Sequence, residues 1–302
     1  MACTICSISF FEAVGYTDKK DFLKFFYDHG VLKETTVCRC GNELKVDSQG
    51  NFRCYKLVSK TKQRTKRCGF FLSARKGTFF EEASVPIEKI FLIVATLLHM
   101  VPPRKHFVWC ELKISSQPMI NWVWFCREVF QSFVINNSVK LGGPNTIVEI
   151  DVAKFGRRRY KGDRLYTGQW AIGGFERNSN NCFLVPVKKI DADILLRIIR
   201  EWILPGTIIH SDCWKLYDCL NHEGFVDQTV NHTKHFVDPD TPSINVKQLW
   251  REVRSIIPRR GVEQDHLVGH LAEFYFKRRF HIHFERLHHF FIAAAKLHPP
   301  AY

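Results

Sequence analysis

Two aspartates stand where phosphodiester chemistry is easiest to build. Asp151 closes the run TIVEIDV (146–152), and Asp212 follows the run GTIIHS (206–211). Both runs are rich in β-branched residues and read as strands. In the first, alternation sets Val148, Ile150 and Val152 on one face and Glu149 and Asp151 on the other. Each aspartate lies at or just past the C-terminal end of its strand, where open α/β sheets usually carry their sites. Acids on neighbouring strands can share a divalent cation, because hard cations take oxygen ligands. A metal pair about 4 Å apart can clamp the attacking and leaving oxygens of a phosphodiester. A plain structural use is equally open, each aspartate capping the next element.

Just after Asp151 the chain turns basic, with Lys154, Arg157, Arg158, Arg159 and Lys161 inside FGRRRYKG and its flank. Cations beside an acid site suit a phosphate backbone, each contact neutralising a phosphate and releasing a counterion. The same residues also describe a solvated hairpin with no ligand. The bulk charge favours the first use: 44 Lys+Arg against 30 Asp+Glu leave a formal +14 over 302 residues. Such an excess points to nucleic acid before an anionic membrane surface. With 45% hydrophobic and 25% charged residues the chain is globular rather than disordered.

No membrane partner is expected. The longest apolar stretch, IFLIVATLLHMV (90–101), is too short to span a bilayer and reads as a buried helix. The opening MACTICSISFFEAVG lacks the basic region and long apolar core of a signal peptide. Eleven cysteines, an odd number, then suggest reduced thiols rather than a disulfide framework. The expected location is nuclear in a eukaryote and cytoplasmic otherwise.

The elements that must position the acids can be read from periodicity. Residues 1–34 form a first helical segment, with DKKDFLKFFYDH (18–29) as its amphipathic helix. Residues 35–80, rich in Lys, Arg, Gly and Cys, form a small module tied by something other than a core. Residues 81–140 are helical, broken by Pro102–Pro103 and restarting at SSQ (115–117). They make either a helix-turn-helix DNA reader or a plain helical packing unit. Gly142-Gly143-Pro144 marks a boundary. Beyond it, strands at 146–152, 169–176, 182–187, 206–211 and 225–231 alternate with helices at 191–203, around WKLYDCLN and at about 243–257. This predicts an α/β domain over 145–280, a mixed sheet with flanking helices. The histidine-rich 281–302 reads as an amphipathic helical tail rather than a metal site. In the 243–257 helix, Val246, Leu249, Trp250, Val253, Ile256 and Ile257 form one apolar stripe. Lys247, Arg251 and Arg254 flank it with positive charge, and Pro258 ends it.

VEIDVAKFGRRRYKGDRLYTGQWAIGGFER, CFLVPV, ILPGTIIHSDCWKLYDCL and TVNHTKHFVDP, followed by a Trp-containing helix, resemble the transposases of Merlin-type DNA transposons and their bacterial insertion-sequence relatives. RKGTFF (75–80), ISSQPMINW (114–122) and FCREVF (125–130) extend the resemblance more loosely toward the N-terminus. It implies a ribonuclease-H-like fold and a DDE transposase that cuts and joins DNA with two Mg²⁺ or Mn²⁺ ions. Asp151 then matches the first catalytic acid, Asp212 the second, and His232 a histidine near the site. The implied partner is double-stranded DNA, in particular transposon ends, paired by a homodimer. Cys38, Cys40, Cys54 and Cys68 fall where the family carries a zinc ribbon, although C-x-C replaces the usual C-x₂-C and thirteen residues split the second pair.

The third acid is where this chain departs. Three residues before Trp250, where the family has Glu, stands Lys247. A protonated lysine cannot ligate a cation and is repelled by one. Three readings are open: a DNA-binding protein whose strand cleavage is impaired; an active transposase in which Asp238, Asp240 or Glu149 substitutes; or a site working with fewer protein ligands. A nuclease acting on RNA or RNA–DNA hybrid is the third functional class on such a fold.

Overall fold

The structure is a computed structural model that describes residues 19–61, 64–99, 112–156, 159–161, 164–166, 168–179, 181–212, 225–230, 244–258, 262 and 264–301. Two compact units divide the chain: one spans Met1–Ser132 with Phe280–Tyr302, the other Phe133–Arg279.

The first unit contains helix α1 (Lys19–Asp28), six short strands β1 (Thr35–Val37), β2 (Glu43–Lys45), β3 (Asn51–Arg53), β4 (Leu57–Thr61), β5 (Arg64–Arg67) and β6 (Phe71–Ser73), and helix α2 (Ile87–His99). It also holds the N-terminal part of α3 (Ser116–Asn137) and all of α7 (His283–Leu297). Its helices meet over an aromatic core in which Phe26, Phe91 and Phe291 pack with Phe22, Phe25 and Phe80, most pairs edge to face. Helix α7, in the stretch that sequence reads as a helical tail, packs into this unit through Phe291. Arg286 of α7 donates to the carbonyl of Leu98 at 2.9 Å, satisfying an orphan acceptor at the end of α2. Helix α3 begins at the serine pair that sequence marks. The segment that would turn a helix-turn-helix, 100–111, lies outside the described residues.

The second unit is built on β7 (Ile147–Phe155), β10 (Gln169–Glu176), β11 (Cys182–Val187), β12 (Ile208–Asp212) and β13 (Val226–Val230), in the order β11-β10-β7-β12-β13. β10 runs antiparallel to β7 and β11, while β12 is parallel to β7 and β13. Numbered within the sheet this is 3-2-1-4-5 with only the second strand reversed, the mixed ribonuclease-H-like arrangement that the sequence anticipates. A small hairpin, β8 (Arg159–Lys161) with β9 (Arg164–Tyr166), comes after β7.

Alternation along β7 sends its residues into two cores. Val148 and Ile150 join Ile172, Phe183 and Ile209 under α4 (Ala192–Trp202), through Leu195, Ile198 and Ile199. Asp191 caps α4 by accepting the Ile194 N–H at 2.9 Å. Ala153 and Phe155 join Ala171 and Phe175 under α5 (Ile244–Ile256) and α6 (Gln264–Arg279), through Val246, Leu249, Trp250, Val253, Leu267 and Leu271. The apolar stripe of α5 is therefore its packing face. Sequence reading does not resolve α6 as a helix of its own. Leu267, Leu271, Ala272, Phe274 and Phe276 are buried around most of its circumference, so no single stripe marks it. The helix expected around WKLYDCLN lies outside the described residues.

Candidate functional site

Asp151 sits near the middle of the central strand, half-buried, on the sheet face covered by α5. Its register partner across β10 is Gly173. A Cβ at Gly173 would lie 2.5 Å from Cζ2 of Trp250, so the indole occupies the space that a side chain there would need. Asp151 and the Trp250 ring consequently share one face of the sheet. One carboxylate oxygen of Asp151, Oδ1, accepts the N–H of Val152 at 2.7 Å.

β12 runs alongside β7 with His210 opposite Glu149 and Ser211 opposite Ile150. One step further along both strands come Asp212 and Asp151, so the two aspartates that sequence singles out lie at corresponding positions on adjacent parallel strands. The side chain of Asp212 lies outside the described part. So do His232, Asp238 and Asp240.

A second acid, Glu149, stands on this face two residues before Asp151 and has no solvent exposure. Its Oε1 accepts from Nε of Arg177 at 2.8 Å and from Nδ2 of Asn245 at 2.9 Å. Its Oε2 accepts the backbone N–H of Val246 at 3.0 Å. The carboxylate thus caps the N-terminus of α5, where orphan amides and the helix dipole both favour negative charge. With three donors on its two oxygens, Glu149 is already committed, which argues against its standing in as the missing metal ligand. Arg177 and Asn245 escape sequence reading. The available signal was an acid inside a buried strand, which demands a cationic partner.

Lys247 comes directly after Val246 and is exposed on the first turn of α5. Arg251 and Arg254 stand at i+4 and i+7, both exposed, so one side of α5 is basic. The Arg254 guanidinium lies 5.8 Å from the centroid of Phe155, and Lys154 Nζ lies 4.8 Å from that of Trp170, each over a residue of the sheet. Arg157 and Arg158 lie outside the described residues, as do the side chains of Arg159 and Lys161, whose backbone forms β8.

In the first unit, Cys38, Cys40, Cys54 and Cys68 place their four Sγ atoms within 4.8 Å of one another. Cys38 and Cys40 lie at the β1–β2 turn, closed by Cys38 N–H to Asn42 O at 2.9 Å and Gly41 N–H to Cys38 O at 2.9 Å. Gly41 takes φ +73°, which a glycine adopts without strain. Cys54 stands just after β3 and Cys68 precedes β6, and these two strands pair. The thirteen residues that split the pair are accounted for by the β4–β5 hairpin, which leaves and returns at one place. Cys68 N–H bonds Lys56 O at 2.8 Å, and Cys54 N–H bonds Phe70 O at 3.0 Å.

Sulfur separations of 2.9 Å (Cys38–Cys40), 3.6 Å (Cys40–Cys54) and 3.9 Å (Cys38–Cys68) bracket the roughly 3.8 Å edge of a tetrahedral zinc–thiolate site. Burial raises the Cys38 thiol, but hydrogen bonds from Cys40 and Asn42 outweigh it and bring the pKa down to about 6. The bond to Cys38 pushes Cys40 up to about 12. Zinc takes thiolates, so a metal binding here would release the protons that these thiols hold. The four residues fit zinc.

Residues 142–279 match the family described as ISXO2-like transposase domain. Male abnormal protein mab-31 of Caenorhabditis elegans is 22% identical over 210 residues, covering 64% of this chain and 49% of that protein. The chain therefore spans about half the length of that relative. An uncharacterized transposase-like protein of Haemophilus influenzae is 26% identical over 92 residues, 30% of this chain and 75% of that protein. Among solved structures, the HTLV-2 integrase catalytic core domain in complex with magnesium has 12% identity and TM-score 0.29, covering 49% of this chain and 99% of that one. The simian T-cell lymphotropic virus intasome in complex with PP2A regulatory subunit B56 gamma has 15% identity and TM-score 0.33, covering 65% and 74%. At these scores neither solved structure bears on the chemistry of this site. Among the described residues no helix is long and apolar enough to cross a membrane. Residues 142–279, which contain the sheet of 3-2-1-4-5 order, are thus similar to a transposase domain of the DDE type.

Proposed function

We propose that this chain is a Merlin-type, transposon-derived protein that binds double-stranded DNA and whose strand cleavage and transfer are impaired by Lys247. Asp151 and Asp212 would be the protein's oxygen ligands for Mg²⁺ or Mn²⁺, a cation that polarises the scissile phosphate when bound. Cys38, Cys40, Cys54 and Cys68 would hold a structural Zn²⁺. Lys154, Arg251 and Arg254, with Arg157, Arg158, Arg159 and Lys161 of the basic run, would contact phosphates. His232 would stand near the reacting groups. Pairing of two transposon ends by a homodimer, and a nuclear location in a eukaryotic host, belong to the same reading.

One observation carries it. α5 is capped and packed as an intact helix, yet its first turn presents an exposed ammonium at 247. The neighbouring buried acid, Glu149, is held by Arg177, Asn245 and Val246. The helix that should deliver a third carboxylate delivers a cation instead, which opposes metal occupancy and favours phosphate. The corresponding positions of Asp151 and Asp212 on β7 and β12 favour a second reading, an active enzyme working with two acids and a substitute ligand.

The test is strand cleavage of duplex carrying the flanking transposon ends, with Mg²⁺ or Mn²⁺. Wild type, Asp212→Ala and Lys247→Glu are compared, with DNA binding measured in parallel. The proposal expects DNA binding by all three and cutting only by Lys247→Glu. Cleavage by wild type that Asp212→Ala abolishes would sink the impairment and establish the second reading. Failure of wild type to bind duplex would remove the DNA-binding reading itself.

A further inference from the structure

We propose that the β4–β5 hairpin is a nucleic-acid arm that sets cations of the four-cysteine module against the phosphates of duplex DNA. This rests on the DNA-binding reading above and extends it to an element which that reading leaves unused.

The segment KLVSKTKQRTKR (56–67) carries six Lys and Arg and no Asp or Glu. Strand pairing folds it back on itself, with Leu57 opposite Arg67, Val58 opposite Lys66, Ser59 opposite Thr65 and Thr61 opposite Arg64. Lys56, Lys66 and Arg67 are thereby gathered toward the base of one narrow ribbon. Lys56, Lys66 and Arg67 are exposed, and none of the three pairs with a carboxylate among the described residues. Elsewhere in the same unit cations do find acids: Lys24 with Asp28, Arg53 with Asp47 and Lys76 with Glu81. Like charges concentrated on a ribbon repel one another and lower its stability, so folding alone gives no reason for them. Nor does a core demand the hairpin, since Tyr55 and Leu57 at its root are 64% and 62% exposed.

The root is nonetheless fixed. Cys54 and Cys68 flank the hairpin and contribute two of the four clustered thiols, and the Cys68 N–H to Lys56 O bond closes its base. A two-stranded ribbon is also an element that the duplex major groove admits. An acid-free, two-stranded ribbon tied at its root, with an excess of cations, fits a polyanion whose charge repeats along a groove.

The experiment measures binding of the full chain to a mixed-sequence DNA duplex of about three helical turns across a salt series. The hairpin variant Lys56→Gln/Lys66→Gln/Arg67→Gln is set against Lys45→Gln/Lys89→Gln/Lys188→Gln, which removes the same charge elsewhere. The hairpin variant should lower the slope of log K against log salt by about 0.9 for each phosphate no longer neutralised, up to roughly 2.7, while the control stays near wild type. Lys66→Arg/Arg67→Lys, which keeps the charge, should keep the slope and separates removal of charge from misfolding. Equal slopes for hairpin variant and wild type would overturn the arm while leaving DNA binding intact. Absence of salt-dependent duplex binding by wild type would overturn both. A reduced slope seen only with single-stranded RNA of the same length would overturn the assignment to duplex DNA.

Discussion

Glu149 and Val246 lie 97 residues apart in sequence, and the buried carboxylate of the first accepts the backbone N–H of the second at 3.0 Å. This contact fixes where α5 begins relative to β7, and with it where position 247 stands relative to Asp151. A charge in a fully buried place is tolerable because Arg177 and Asn245 complete its shell.

Removing that charge should therefore cost much more than removing a surface acid. Glu149→Ala leaves the Arg177 guanidinium and the α5 amides without their acceptor, and a loss of about 3–5 kcal/mol is expected. Glu149→Gln keeps an acceptor oxygen and should lose less. Urea unfolding of both variants, with amide exchange at Val246 as the local probe, checks this. A Glu149→Ala protein within about 0.5 kcal/mol of wild type would mean that the cap does not hold α5.

Gly173 is the second point where the site depends on a single position. The Trp250 indole lies so close that a Cβ there would approach within 2.5 Å of its ring carbon. The clash falls in a packed interior rather than on a flexible tip. Gly173→Ala should destabilise the unit by about 1–3 kcal/mol through overpacking. Combining it with Trp250→Phe, which shortens the ring, should recover part of that loss. Two additive losses would show that the indole is not what excludes a side chain at 173.

How much of this was legible in the sequence depends on how local the signal is. The five sheet strands and the helices α4 and α5 are marked by alternation or by an apolar stripe, and they appear close to the expected places. The mixed sheet expected from sequence reappears in β7, which pairs antiparallel with β10 and parallel with β12. What sequence could not supply were contacts that join distant residues. Glu149 reads like Asp151, an acid on a polar strand face, until Arg177 and Val246 arrive to bury it. The cysteine spacing looks degraded because the return of the β4–β5 hairpin, which reunites Cys54 with Cys68, depends on pairing rather than on spacing. Helix α6 is hidden for the opposite reason: it is buried on too many sides to show a period.

Four thiols with these separations make metal loading a measurable property. Purified chain is expected to carry one zinc, and cobalt substitution should give the thiolate charge-transfer absorption of a tetrahedral site. Cys54→Ser removes a ligand at the root of the β4–β5 hairpin and should lower metal content and unfold the β1–β6 module, because binding energy there is folding energy. Chelation of wild type should reproduce the loss. A protein that keeps its melting profile and holds no metal under all these conditions would reduce the cluster to packed thiols.

The first unit should also lose stability in mild acid, through a histidine contact between the end of α1 and α7. His29 donates from Nδ1 to the Phe25 carbonyl at 2.6 Å, so its neutral ring must accept at Nε2, 3.0 Å from Nδ1 of His288. Burial lowers the pKa of His29, offset in part by the Phe25 carbonyl and reinforced by His288. Burial likewise lowers His288 and His289, with Glu285 acting the other way on both and His288 adding to the lowering of His289. All three folded values therefore lie below that of an unfolded histidine. Above about pH 6.5 the rings are neutral in both states and the contact is fully present. As pH falls below that value the unfolded chain takes up protons first, and stability declines until the folded rings titrate as well. The thermal midpoint should therefore drop between about pH 7.5 and about pH 5.5, and it should drop less in His288→Gln, which removes one titrating ring while keeping a donor for His29. Identical pH profiles for the two proteins would show that the His29–His288 contact does not set the acid sensitivity of this unit.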